Sequence, residues 1–279
     1  MISTRQKYEL YKPKKFLGQN FLVDDNIAKK IVASLEIERN NTIIEIGPGR
    51  GVLTKYIQEL TDNFYAVELD RSIFEDLKLK YGESINLIHK DFLKIDFDSD
   101  IRSDDRSVKF KVIGNIPYNI TTEILFRLFE SADRIDSAVL MMQKEVAKRL
   151  TAVPDTKDYG ILAIQTQLHT VPKILFNVPP TAFFPKPNVF SSIVKLDFKR
   201  DLSGIKDRRL FKELVRESFG QRRKTMRNSL KKFFERNELE SENVNFDLSR
   251  RPENVTIKEF EMLSNDLTEL IRNKNSNPV

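Results

Sequence analysis

Four consecutive residues, Asn115, Ile116, Pro117 and Tyr118, place an amide side chain, a carbonyl ahead of a fixed turn and an aromatic face side by side. Such a set suits a flat base carrying an exocyclic amine, because carbonyl oxygens accept the amine hydrogens and a ring stacks on the base. The implied chemistry is methylation of an amino group. The tetrapeptide closes the apolar run 110–114, which reads as a buried strand. At the carboxyl end of a parallel strand, a turn faces the crevice where open α/β sheets bind ligands. Alone, the four residues also fit an ordinary Pro-containing turn, so the surrounding elements must decide.

A second set lies upstream. Gly47, Gly49 and Gly51 follow a strand and open a helix, which lets backbone approach a ligand closely. The spacing is not GxGxxG, and Pro48 removes an amide that a dinucleotide pyrophosphate could use. Glu68 ends the next strand, where a carboxylate binds ribose hydroxyls; that position suits dinucleotides and S-adenosylmethionine alike. Without a phosphate to hold, a methyl donor is the better fit. Asp91 follows the third strand and offers an acceptor to an adenine amine, with Phe92 and Leu69 packing about the ring. Gly47, Glu68, Asp91 and Asn115 each stand at a strand's carboxyl end, in one register. A nicotinamide-dependent oxidoreductase would share the glycines and Glu68 but would leave residues 115–118 unexplained.

The elements needed to hold these residues are legible as alternating periodicities. Helices are expected at 24–34, 52–60, 72–81 with Ser72 as cap, 121–130 with Thr121 as cap, and from 144. Strands are expected at 42–46, 64–68, 86–89, 110–114 and 137–142, giving a largely parallel, doubly wound sheet. Segments 171–178 and 189–198, joined by a proline-rich loop, read as an antiparallel hairpin closing the sheet edge. Beyond 199 only helical periodicity remains: 208–219, 222–234 and 256–271 with Thr256 as cap, then a frayed tail from Asn273. The expected organisation is a basic arm at 1–20, an α/β Rossmann-like body at 21–200 and a small all-α domain at 201–279.

Composition narrows the partners. The chain has 279 residues, no cysteine and two histidines, His89 and His169, so a disulfide or a thiolate metal site is excluded and metal catalysis is not expected. No run of 18 apolar residues occurs, so no membrane span or membrane partner is expected. The net charge of +6 is unevenly placed. Residues 1–20 hold five Lys/Arg and one acid, and residues 199–236 hold fourteen and five. Two basic blocks on an otherwise acidic chain suggest a patterned site for a polyanion, nucleic acid first. The basic amino terminus lacks the cleavage-like site of a transit peptide, so a cytoplasmic protein is expected.

Taken together, the segments 15–22 (KFLGQNFL), 45–51 (EIGPGRG), 68–70 (ELD), 115–118 (NIPY), the Pro-rich 179–189 and 219–230 (FGQRRKTMRNSL) resemble the rRNA adenine N6-dimethyltransferase family, and more closely its bacterial small-subunit branch. The resemblance spans nearly the whole chain. It implies dimethylation of N6 on two adjacent adenosines near the 3′ end of 16S rRNA. S-adenosylmethionine would be the donor, no metal would be needed, and the enzyme would also serve small-subunit maturation. The partner would be an immature 30S-type particle, met by a monomer. By position, Asn20 and Leu22 would line the methionine or ribose side of the donor. Gly47 and Gly49 would form its main-chain wall, Glu68 and Leu69 would meet the ribose and adenine, Asp91 and Phe92 the adenine, and Asn115 the methionine and target amine. Ile116 stands where Leu is common in the family, and Phe184 where a small or polar residue is frequent.

For catalysis, the expected acceptors of the amine hydrogens are the Asn115 side-chain oxygen and the Pro117 carbonyl, with Tyr118 and Phe183 stacking on the two faces of the base. The expected RNA contacts are Lys14, Lys15, Arg222, Arg223, Lys224 and Arg227. A macrolide-resistance type of large-subunit rRNA methyltransferase shares the tetrapeptide, and a non-catalytic ribosome-assembly factor could keep the same fold.

Overall fold

The computed structural model describes residues 18–101, 108–199, 204–221 and 223–276. The chain divides into two compact units: Met1–Ala147 with Thr170–Lys199, and Lys148–His169 with Arg200–Val279. The expected single boundary near 200 is therefore joined by an earlier excursion, because residues 148–169 pack with the later helices.

In the first unit, β1 (Phe21–Leu22) leads into α1 (Asp25–Ala33). Asp24 caps this helix, its Oδ1 accepting from the amides of Asn26 and Ile27 at 2.9 and 3.0 Å. There follow β2 (Thr42–Ile46), α2 (Thr54–Ile57), β3 (Asn63–Glu68), α3 (Arg71–Tyr81), β4 (Asn86–His89), β5 (Phe110–Asn115), α4 (Thr121–Glu130), β6 (Ile135–Gln143) and α5 (Lys144–Leu150). After α6 (Ile161–His169), which belongs to the second unit, the sheet resumes with β7 (Thr170–Val178) and β9 (Ser191–Phe198), with the short β8 (Phe183–Phe184) between them in sequence. The strand order is β4-β3-β2-β5-β6-β9-β7. Neighbours from β4 to β6 are parallel, and β9 pairs antiparallel with both β6 and β7, so the closing hairpin forms as the sequence indicates. The interior strand β2 is buried along its whole length, as a sheet covered on both faces requires. β5 approaches it so closely at Gly114 that a Cβ there would lie 2.7 Å from the Ile46 carbonyl oxygen.

Several expectations are corrected. The cap of α3 is Asp70, which accepts from the Ser72 amide at 3.0 Å and the Ser72 hydroxyl at 2.7 Å, so Ser72 serves the cap rather than being it. Thr121 is the first residue of its helix, and its hydroxyl bonds back to the Pro117 carbonyl at 3.1 Å. The helix expected over 52–60 is a single turn, α2. A two-stranded ribbon, β1 with β8, pairs Phe21 with Phe184 and Leu22 with Phe183; nothing in the short segments signals it.

The second unit holds α6, α7 (Arg208–Ser218), α8 (Met226–Ser229), α9 (Lys231–Arg236) and α10 (Ile257–Ser276). Its core joins Tyr159, Ile164 and Leu168 to Phe211, Leu214, Phe233, Phe260 and Leu267. The Tyr159 hydroxyl ties this excursion to the later helices through the Val255 carbonyl at 3.0 Å. The expected helix 222–234 is broken, because the amides of Met226 and Arg227 bond to the carbonyls of Arg250 and Leu248 instead of to the preceding turn. α10 opens with a capping box: the Thr256 hydroxyl accepts from the Glu259 amide, and Glu259 accepts from the Thr256 amide at 2.8 Å. The tail expected from Asn273 is helical through Ser276. No described helix is long and apolar enough to cross a membrane.

Candidate active site

The carboxyl ends of β2, β3, β4 and β5 open on one cavity of about 300 Å³, within the size range of small-molecule sites. Gly47, Gly49, Glu68, Leu69, Asp91, Phe92, Asn115, Pro117 and Tyr118 all line it, with Asn20 and Leu22 from the segment before α1. Ten of the expected site positions thus converge with Asn115, although they span 99 residues of sequence, from 20 to 118.

Gly47 has φ +61, and a Cβ built there would point into open space with no atom within 4 Å. Only glycine leaves both the backbone conformation and that part of the cavity free. Glu68 is buried, and its two oxygens accept from the amides of Gly49 at 3.2 Å and Asp70 at 2.8 Å. These bonds hold the carboxylate against the glycine turn. Burial nevertheless raises its pKa above the ordinary value, and the two amides oppose that rise. Asp91 accepts from the Leu93 amide at 3.0 Å, which fixes its carboxylate at the turn after β4. Phe92 is buried edge-on to Phe97, whereas Leu69 is 49 % exposed and presents an apolar wall at the cavity rim.

A site residue that the motifs did not single out is Glu45, within β2. It lines the cavity at 1 % exposure and accepts from the Thr54 hydroxyl at 2.7 Å. Burial pushes its pKa up to about 8; the Thr54 hydrogen bond opposes this, and the Glu68 charge adds to it. The signal in the sequence was a charged residue inside an apolar strand.

On the other wall, the Asn115 side chain donates from Nδ2 to the Asn20 carbonyl at 2.8 Å. That bond orients the amide and leaves Oδ1 as its acceptor end. The Pro117 carbonyl does not match its expected role: it already accepts from the Ile120 amide at 3.3 Å and the Thr121 hydroxyl at 3.1 Å, which start α4. The preceding carbonyl, of Ile116, accepts no hydrogen bond among the described residues. The Tyr118 hydroxyl meets Ser191 Oγ at 2.6 Å, anchoring the ring to β9, and burial raises its pKa. Phe183 is not at the cavity. It is 4 % exposed, paired with Leu22 and packed in the core of the first unit, so a stacking role requires its ring to leave that packing.

Of the expected RNA contacts, Lys14, Lys15 and Arg222 lie outside the described residues. Arg223 and Lys224 are exposed in the turn before α8, and Arg227 is ion-paired with Glu242 at 2.7 Å, which offsets its charge.

A doubly wound sheet with a closing antiparallel hairpin, and a cavity between a glycine turn and an oriented asparagine amide at the strands' carboxyl ends, defines an α/β methyltransferase. Comparison with known proteins carries this further. The chain belongs to the ribosomal RNA adenine dimethylase family, whose model matches residues 11–268. It is 39 % identical over 260 residues to ribosomal RNA small subunit methyltransferase A of Francisella tularensis subsp. novicida, covering 92 % of this chain and 98 % of that one. Among solved structures, a dimethyladenosine transferase from Plasmodium falciparum matches with a TM-score of 0.69 and 25 % identity over 92 % of this chain and 98 % of that one. The 23S rRNA methyltransferase ErmE shares the fold, with a TM-score of 0.60 at 24 % identity over 88 % of this chain and 99 % of its own.

Proposed function

We propose that this enzyme dimethylates N6 of two adjacent adenosines near the 3′ end of 16S rRNA, using S-adenosylmethionine, on an immature small-subunit particle in the cytoplasm. The observation that carries the reading is the Asn115 amide, pinned through Nδ2 to Asn20 so that its oxygen end is left to accept.

In this reading, Gly47 and Gly49 give the donor a backbone wall, Glu68 takes its ribose hydroxyls and Asp91 its adenine amine. Leu22, Leu69 and Phe92 supply apolar surface beside them. S-adenosylmethionine supplies an electrophilic methyl group when bound. The protein's task is then to make the adenine amine nucleophilic, since its lone pair is delocalised into the ring. Asn115 Oδ1 accepts one amine hydrogen, and the Ile116 carbonyl, displacing Pro117 in that part, accepts the other. Two acceptors held in place draw the nitrogen toward a tetrahedral shape with its lone pair exposed. Pro117, at φ −58°, fixes the turn that aims them. Tyr118 stacks on the base, which repays part of the few kcal/mol spent in extruding it. No general base is needed before methyl transfer.

Arg223 and Lys224 hold phosphates, together with Lys14, Lys15 and Arg222. Contacts of this kind position the RNA and carry no sequence information. The test is incubation of the enzyme with labelled donor and immature small-subunit particles, followed by mapping of dimethyladenosine. Label on two adjacent adenosines supports the reading; particle binding without label would favour an assembly factor, and label on large-subunit rRNA would favour the macrolide-resistance type.

A further inference from the structure

Beyond the cavity, one exposed aromatic lies next in sequence to the serine that holds Tyr118 and has no part in the chemistry above. Phe190 immediately precedes β9 and is 51 % exposed, with Val189 beside it 43 % exposed. Its backbone is not loose, because its carbonyl accepts from the Lys144 amide at 2.9 Å, at the point where β6 gives way to α5. The Lys144 ammonium stands 5.8 Å from the centre of the Phe190 ring. The next residue, Ser191, is the one that holds the Tyr118 hydroxyl. An exposed aromatic residue with a tethered backbone therefore lies one residue from the anchor of Tyr118, with a cation near its ring.

A single exposed Phe on a surface is ordinary. Here three features point to a ligand: an aromatic whose backbone is tied to Lys144, an adjacent cation, and a place one residue from the serine that holds Tyr118. A base stacks on an aromatic face whatever its identity, and a lysine beside it suits the phosphate that follows. The geometry points to Phe190 and Lys144 as a platform for the nucleotide adjoining the target adenosine, a π face for its base and an ammonium for its phosphate. This rests on the proposed RNA methylation. It gives the site a way to keep the neighbouring nucleotide unstacked from the target while the target amine is in place. Catalysis at Asn115 does not require it.

The test uses the full chain and immature small-subunit particles. Phe190→Ala and Phe190→Leu should each raise the KM for particles about 10-fold, within the range for losing one base–aromatic stack. Donor affinity and thermal stability should stay at wild-type values. Phe190→Tyr, which keeps the π face, should restore the wild-type KM. With a photo-crosslinking benzoylphenylalanine at position 190, the crosslink should map to the nucleotide beside the methylated adenosine. A Leu variant as good as wild type, or a crosslink to ribosomal protein, would overturn the platform while leaving the methylation intact. A wild-type enzyme that transfers no methyl to particles would instead overturn the reading on which the platform depends.

Discussion

The two walls of the cavity are built differently. On the donor wall, each carboxylate leans on the protein itself: Glu68 on the amides of Gly49 and Asp70, Asp91 on the Leu93 amide, and Glu45 on Thr54. On the wall proposed for the amine, the side-chain bond of Asn115 seen among the described residues uses its donor end, and Tyr118 is held through its hydroxyl, at the far end of the ring. The first wall is a cradle whose acidic side chains are held by the protein's own amides and a hydroxyl. The second is a pair of acceptors and a ring, oriented but left with work to do. In the proposed reading, binding and chemistry are separable by wall, and substitutions should divide accordingly.

The largest effect on the donor wall is expected from Gly47→Val. It places a branched side chain in the cavity at a φ of +61, where strain alone is worth about 1–3 kcal/mol. Donor affinity, measured by calorimetry, should fall about 100-fold or more. Glu68→Gln should be milder. It keeps one acceptor for the two amides and loses charge-assisted bonds to ribose, so donor affinity should fall about 10-fold while kcat at saturating donor changes little. If kcat falls and affinity holds, the division by wall fails. On the amine wall, Tyr118→Phe removes the bond to Ser191, a loss of about 1 kcal/mol, and should lower kcat about 5-fold with donor affinity unchanged.

The smallest effect is on stability and pH. Glu45 holds its proton up to about pH 8 in the folded state, because burial disfavours its charge, whereas the unfolded chain releases it near the ordinary carboxylate value of 4.5. Between those values the folded state binds the extra proton, so unfolding becomes easier as pH rises from about 4.5 to about 8. Glu45→Gln should flatten that slope in denaturant midpoints measured at pH 5.5 and pH 8. An unchanged slope would place the titration elsewhere.

The same contrast explains what could be read from the sequence. Strands buried on both faces appear as apolar runs, and the residues at their carboxyl ends follow by counting, so the donor wall and Asn115 were legible. Roles that depend on which way a group is already bonded were not. The letters give Pro117 a carbonyl, but only the start of α4 shows that Ile120 and Thr121 occupy it. The letters give Phe183 a ring, but the two-residue ribbon that buries it is too short to leave a periodic signal. In the second unit, the break between α8 and the turn before it arises from bonds to carbonyls more than twenty residues away. Helical periodicity alone does not record such partners.

The central claim is that Asn115 acts on the amine and not on the donor. Asn115→Ala should bind S-adenosylmethionine within about 3-fold of wild type and lose methyl transfer to immature particles by at least about 100-fold, the scale of removing one preorganised catalytic group. Methyl transfer near the wild-type rate, or a loss of donor affinity large enough to account for the lost rate, would contradict it.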